Sequence, residues 1–358
     1  MDSHTIEIDG RKIGGGFPPY VIAEVSANHN GSLDRAFGII DEAARAGADC
    51  IKLQTYTADT MTLKSTRPDF KIEGGLWDGE YLHDLYERAY TPWDWFPRIF
   101  DRCRKLGITA FSSPFDKSAV DFLEDLGAPA YKIASFEAID LPLIRYVALT
   151  GKPLIISTGM ADAEEIEEAI SAAREAGCRQ LAILHCVSGY PAPAADYNLR
   201  TIPDMREKFG VVVGLSDHTL SNYTAIASVA LGASIIEKHF TLDRKAGGPD
   251  DSFSLEPAEL RNLVEGARTT FEALGAVDYG RKSSEIGNVQ FRRSLYFVTD
   301  LEAGATIGPN DIRSVRPGFG LPPKYFDQIV GCTLREPVSY GTPVTSRHLA
   351  SEGLEADG

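Results

Sequence analysis

Eight short apolar runs, separated by amphipathic stretches, constrain this chain more than any other feature. They occupy residues 20–25, 49–54, 108–113, 129–134, 153–157, 180–186, 211–216 and 234–240. Each is mostly apolar and often β-branched, the pattern of a strand buried on both faces. Helical periodicity fills the gaps. Over 33–46 it puts Ala36, Ile39, Ile40, Ala43 and Ala44 on one side, and Gly47 follows as a stop. Residues 161–177, 221–232 and 256–274 behave similarly. Alternating strand and helix predicts a parallel sheet with right-handed crossovers, and eight repeats match a closed (β/α)8 TIM barrel. An open doubly wound sheet lacks support, because no GxGxxG turn follows the first strand.

Residues 1–279 are therefore assigned to the barrel and an N-terminal extension. Over fifty residues separate the second and third strands, including GGLWDGEYLHDLY and the aromatics Tyr90, Trp93 and Trp95. So long a connection reads either as a functional lid or as a peripheral packing insertion. Residues 280–292 are polar and aperiodic, a linker. Residues 293–350 carry the short β-like runs SLYFVT and TPVTS among Gly and Pro turns, predicting a small β-rich domain, and 351–358 read as a disordered tail. A formal charge of −15 argues against nucleic acid or an anionic membrane as partner, though not against a small anion in a local pocket. No apolar run is long enough to span a bilayer and the start lacks a signal pattern, so a cytoplasmic location is expected. Five cysteines without CxxC spacing read as free, mostly buried thiols.

Barrel active sites lie at the C-terminal strand ends. Polar residues interrupt the apolar runs there repeatedly: Glu24, Lys52, Gln54, Ser113, Lys132, Ser135, Glu137, Ser157, His185, Ser188, Ser216, His218, Glu237 and His239. Lys52 shares a strand face with Gln54, as does Glu237 with His239. His218 and His239 follow neighbouring strands and read as either a metal-binding or an acid–base pair. For a metal, Mn²⁺ is favoured, with Asp217 or Glu237 orienting the imidazoles. His4 and His348 lie outside the barrel and read as surface residues. Lys52, Lys132 and the serines form a basic, hydroxyl-rich lining suited to a phosphate and a carboxylate. A Schiff-base lysine, as in a class I aldolase, is the competing reading.

At these residues the chain resembles the sialic acid synthase family, in the motifs AEVSANHNG, IKLQTY, FSSPFD, AYKIASFE, ISTGM, LHC..GYPAP, GLSDHT, EKHF and GGPDDSFS. The likeness runs from about residue 18 to 350 and is nearest to the pseudaminic acid branch, with the legionaminic and N-acetylneuraminic acid branches as alternatives. It implies condensation of phosphoenolpyruvate with an amino-sugar aldehyde, here 2,4-diacetamido-2,4,6-trideoxy-altrose, with release of phosphate by C–O cleavage. It also implies a barrel followed by an antifreeze-like (SAF) domain, which in a domain-swapped homodimer offers Arg316 to the partner's sugar. Phosphoenolpyruvate contacts then fall on Lys52, Ser113, Lys132, Ser135, Ser157, Ser188 and Ser216. Sugar contacts fall on Gln54, Glu137, Tyr190, Asp250 and Arg316, and a divalent metal, Mn²⁺ with Mg²⁺ or Co²⁺ as alternatives, on His218 and His239. Glu24 takes the catalytic carboxylate's place.

Overall fold

A computed structural model describes residues 4–350; the expected disordered tail lies outside them. The chain divides into two compact units, 1–275 and 276–358. In the first, a hairpin of β1 (Thr5–Ile8) and β2 (Arg11–Gly14) precedes eight parallel strands that close into a barrel. These are β3 (Tyr20–Glu24), β4 (Cys50–Thr55), β5 (Thr109–Pro114), β6 (Tyr131–Ile133), β7 (Leu154–Ser157), β8 (Leu181–Cys186), β9 (Val212–Ser216) and β10 (Ile235–His239). Every apolar run of the sequence became one of them. The helices follow the periodicity closely: Leu33–Ala46 is capped by the Ser32 hydroxyl and stopped by Gly47 in the left-handed region, φ 83°. Ala163–Glu175 starts on the Asp162 capping box and Pro257–Leu274 on that of Glu256 and Glu259.

Strand alternation sorts the barrel into two cores. One set of side chains (Val21, Ala23, Ile51, Leu53, Ile133, Ile156, Leu215, Ile236) packs outward on the helices. The other fills the lower lumen with Tyr20, Ile22, Cys50, Phe111, Ala130, Ile155, Ala182, Leu184, Val212 and Ile235. Ile6, Ile8 and Ile13 of the hairpin join this second cluster, so the N-terminal extension plugs the barrel floor. Sequence reading left those residues unassigned. Their signal was present: Ile6 and Ile8 alternate with polar residues, and Asp9-Gly10, with φ 51° and 78°, is a two-residue hairpin turn.

Moving two residues along each strand from the lower lumen leads to the mouth, and there the chemistry changes. Ile22 gives way to Glu24, Cys50 to Lys52 and then Gln54, Phe111 to Ser113, Ala130 to Lys132, Ile155 to Ser157, Leu184 to Cys186, and Ile235 to Glu237 and then His239. Register holds these groups level: Glu24 pairs with both Lys52 and His239, Gln54 with Ser113, and Ser216 with Glu237.

The second unit has the expected β character, with antiparallel β11 (Ser294–Phe297) and β12 (Ile312–Val315) and isolated bridges such as Leu301 with Val338. Leu295, Phe297, Ile307, Ile312, Leu321 and Val344 form its core. His348, expected at the surface, is buried there edge-on to Phe297 and bonded to Thr345. Four of the five cysteines, Cys50, Cys103, Cys178 and Cys186, are buried thiols. Among the described residues no helix is long and apolar enough to cross a membrane.

Candidate active site

Four ionisable side chains occupy the lumen just below the mouth, all under 5% exposed. Lys52 Nζ lies 2.8 Å from Glu24 Oε2 and 3.4 Å from Glu237 Oε1, while Lys132 Nζ lies 3.9 Å from Glu237 Oε2. Burial of isolated charge costs several kcal/mol, so the two carboxylates and two lysines sustain one another. Burial raises the Glu24 pKa, and Lys52 offsets only part of that rise. At Glu237 burial acts in the same direction, but Lys132, Lys52 and His218 outweigh it and hold the carboxyl below its usual range. Burial opposes charge on both lysines too; Glu237 and Glu24 overcome it at Lys52, whereas at Lys132 burial prevails.

The cluster is not saturated. Glu24 Oε2 and Glu237 Oε2 make no well-directed hydrogen bond despite their nearby ammonium groups, and the buried Ser188 Oγ has none. Lys132 donates to Ser157 Oγ at 2.6 Å and Lys52 to Ser113 Oγ at 3.4 Å. Ser135 Oγ accepts from Gly159 N at 3.2 Å, and a Cβ on Gly159 would stand 2.2 Å from Ser188 Oγ and 2.8 Å from Ser135 Oγ. A side chain at 159 would displace both hydroxyls from these positions. Ammonium groups and unspent hydroxyl donors in a buried, preorganised lumen are what an anion needs.

A second group lies beside it. Gln54 Nε2 donates to Glu24 Oε1 at 2.9 Å and to Ser26 Oγ at 3.0 Å, and Ser26 Oγ donates to Asp250 Oδ2. This chain carries Asp250 from the loop after β10 to Glu24. Ser26 was not singled out from the sequence; its φ of 44° is unusual for a serine, and its hydroxyl is what joins the two loops. Glu137, in the turn after β6, has its pKa pushed up to about 7 by burial.

The rings of His218 and His239 are 5.4 Å apart, and the Tyr190 ring lies tilted 4.4 Å from that of His218. His218 Nδ1 donates to the Val187 carbonyl at 2.8 Å, which fixes the ring and leaves Nε2 free of that bond. His239 Nδ1 is buried without a partner, and burial followed by nearby cations drives its pKa far down, so its imidazole is neutral; at His218 burial acts the same way but Cys186 and the Val187 carbonyl outweigh it and raise the pKa. These features fit one shared divalent ion. Among the described residues no set of three or more His, Cys, Asp or Glu gathers at metal spacing, so water or substrate oxygens would complete its shell.

Two expectations fail. Asp217 does not orient an imidazole; it faces outward and pairs with Lys238 at 3.0 Å while accepting from Thr219 N. His185 likewise leaves the mouth and bonds to the Tyr197 carbonyl. Arg316 lies exposed just after β12 in the second unit. The remaining sequence-derived residues sit at the C-terminal end of the barrel, on strands β3 to β10 or the loops after them.

Fold and site together define a class: (β/α)8-barrel proteins whose C-terminal mouth sets buried lysines and serine hydroxyls beside a pair of imidazoles. Residues 39–279 match the NeuB family model and residues 292–350 the SAF domain model, so the chain belongs to the NeuB family. It is 43% identical to a pseudaminic acid synthase of Campylobacter jejuni over 90% of this chain and 94% of that one. To a pseudaminic acid synthase of Helicobacter pylori it is 40% identical over 92% and 97%. The structure of an N-acetylneuraminic acid synthetase of Leptospira borgpetersenii, solved with citrate, superposes with a TM-score of 0.71 at 33% identity, covering 80% of this chain and 96% of that one.

Proposed function

We propose that this protein is a pseudaminic acid synthase, joining phosphoenolpyruvate, 2,4-diacetamido-2,4,6-trideoxy-altrose and water to give pseudaminic acid and phosphate. The observation that carries this is the lumen itself, where two buried lysines and unspent serine hydroxyls face a carboxylate-lined sugar end beside two histidines. Greater identity to pseudaminic than to N-acetylneuraminic acid synthases favours that sugar. Lys52, Lys132, Ser113, Ser135, Ser157, Ser188 and Ser216 hold the phosphate and carboxylate; Gln54, Glu137, Tyr190 and Asp250 hold the sugar. A divalent ion such as Mn²⁺ on His218 and His239 would polarise the aldehyde when bound.

In the reaction C3 of phosphoenolpyruvate bonds to the aldehyde carbon, whose oxygen gains a proton, leaving positive charge at C2. Water adds at C2 and loses a proton, and the C2–O bond to phosphate breaks as the ketone forms. Glu24, ion-paired with Lys52 and accepting from Gln54, is placed to steady the charge at C2 and to move a proton. The lysines are engaged with carboxylates and hydroxyls, which favours anion binding over a Schiff base. Phosphoenolpyruvate as substrate places the reaction in the cytoplasm.

Residues 1–279 serve as the catalytic domain, and 293–350 cross to a second copy, offering Arg316 to its sugar. Phosphate release with Mn²⁺ tests the reading, comparing the altrose sugar, its legionaminic counterpart and N-acetylmannosamine, each with an EDTA control. Release with the altrose sugar alone, abolished by EDTA, is expected; preference for another sugar overturns the branch, and borohydride trapping of a lysine overturns the mechanism. Glu24→Gln and Arg316→Ala chains, each impaired alone, should recover about a quarter of wild-type activity after mixing, because half the dimers then carry one intact site.

A further inference from the structure

The long connection between β4 and β5 is not peripheral. Residues 71–81 form a tight hairpin, with Lys71 bridged to Tyr81, Ile72 N bonded to Glu80 O at 2.8 Å and Gly79 N to Ile72 O at 2.9 Å. Gly74, Gly75 and Gly79 all have left-handed φ, which makes this sharp reversal feasible. At its tip stands Trp77. Its Nε1 donates to the carbonyl of Pro249 at 3.2 Å, the residue before Asp250, and its ring packs 5.9 Å from Tyr190.

Tyr190 in turn lies 5.2 Å from Phe253, and Phe253 lies 5.0 Å from His239. One side of the sugar end is thus an aromatic wall running from the histidines through Phe253 and Tyr190 to Trp77, beside the polar chain of Gln54, Ser26 and Asp250. The only polar atom of Trp77 is spent on Pro249, so its ring presents nothing but an apolar surface. Such a surface accepts a methyl group and penalises a hydroxyl that loses water without gaining a partner.

We propose that Trp77 is a specificity-determining residue, an apolar wall selecting amino-sugar aldehydes that carry a methyl group where common hexoses carry a terminal hydroxyl. This rests on the proposed function and names the substrate feature the site reads. The test uses the full chain with Mn²⁺ and measures sugar kcat/KM for 2,4-diacetamido-2,4,6-trideoxy-altrose and for its 6-hydroxy counterpart. Wild type, Trp77→Ala and Trp77→Phe are compared, with phosphoenolpyruvate affinity by calorimetry and a thermal melt as checks of folding. Wild type should prefer the deoxy sugar by about 10- to 100-fold. Trp77→Ala should lose most of that preference through the deoxy sugar's KM, Trp77→Phe should fall between, and phosphoenolpyruvate affinity should hold. Equal losses for both sugars, or an unchanged preference in Trp77→Ala, would overturn the inference alone. A wild type that prefers the 6-hydroxy sugar overturns the substrate reading and this inference with it.

Discussion

Two buried ionic groups sit a few residues apart in this barrel, and they are finished differently. On the outside of β9 and β10, Lys238 donates to Asp217 and to the carbonyls of Thr219 and Ser221, and Asp217 accepts from Thr219 as well. Among these contacts every ammonium donor has an acceptor. On the inside, Lys52 and Lys132 share Glu24 and Glu237, yet an oxygen of each carboxylate lacks a well-directed bond. The outer group locks two strands together; the inner one keeps capacity for a ligand. Saturation, more than burial or charge, separates structural ion pairs from chemical ones here.

Breaking each group should give opposite signatures. Glu24→Gln keeps shape and removes the charge, so kcat should fall about 10²–10⁴-fold, while stability should fall less than at Lys238 because Glu237 still pairs with Lys52, as steady-state kinetics and calorimetry would show. A similar loss in stability would place Glu24 with the structural group. Lys238→Met leaves Asp217 buried without its cation and should cost about 3–5 kcal/mol in urea unfolding. Much of that should return in the Lys238→Met, Asp217→Asn double variant, with kcat per folded molecule near wild type throughout.

A finer probe is Gly159→Ala, which crowds the hydroxyls of Ser135 and Ser188 and should cost about 1–3 kcal/mol of packing. The loss should appear as a raised KM for phosphoenolpyruvate and ease when Ser188→Ala is added; an unchanged KM would remove those serines from the anion site. A pH-dependent probe is Glu137, an unsaturated carboxyl whose pKa is pushed up to about 7 from an ordinary value of 4.5. The folded chain binds its proton more tightly than the unfolded chain does. Its stabilising contribution is full below pH 4.5 and fades as pH rises through about 7. Glu137→Gln should therefore gain stability relative to wild type across that interval and show a constant difference above it; a gap independent of pH would deny the shift.

The barrel was legible because a strand buried on both faces must read as a short apolar run, and all eight did. The mouth was legible for the same reason: Lys52, Lys132 and Glu237 interrupt runs that packing alone would keep apolar. Side-chain direction beyond a strand end was not. Asp217 follows the last residue of β9, and sequence could not show that Lys238 would draw it outward. Trp77 was equally hidden, since its contact with Pro249 spans a separation that no local pattern encodes. Ser26 and Gly159 act through loop conformation and close approach, which residue type alone does not reveal. The floor hairpin was readable in principle, from its alternating isoleucines and Asp-Gly turn.

That hairpin also bears on the order in which the molecule is assembled. It leaves the ribosome ahead of every barrel strand, yet Ile6, Ile8 and Ile13 pack against Ile155, Ala182, Leu184, Val212 and Ile235, all synthesised well over a hundred residues later. Until the last of these strands emerges, three isoleucines have only a fraction of their native surroundings, and the ring cannot be sealed from below. A barrel corked by a segment that precedes its strands is thus closed only once β10, ending at His239, has been made, and pairing of its first strand with its last comes late in folding.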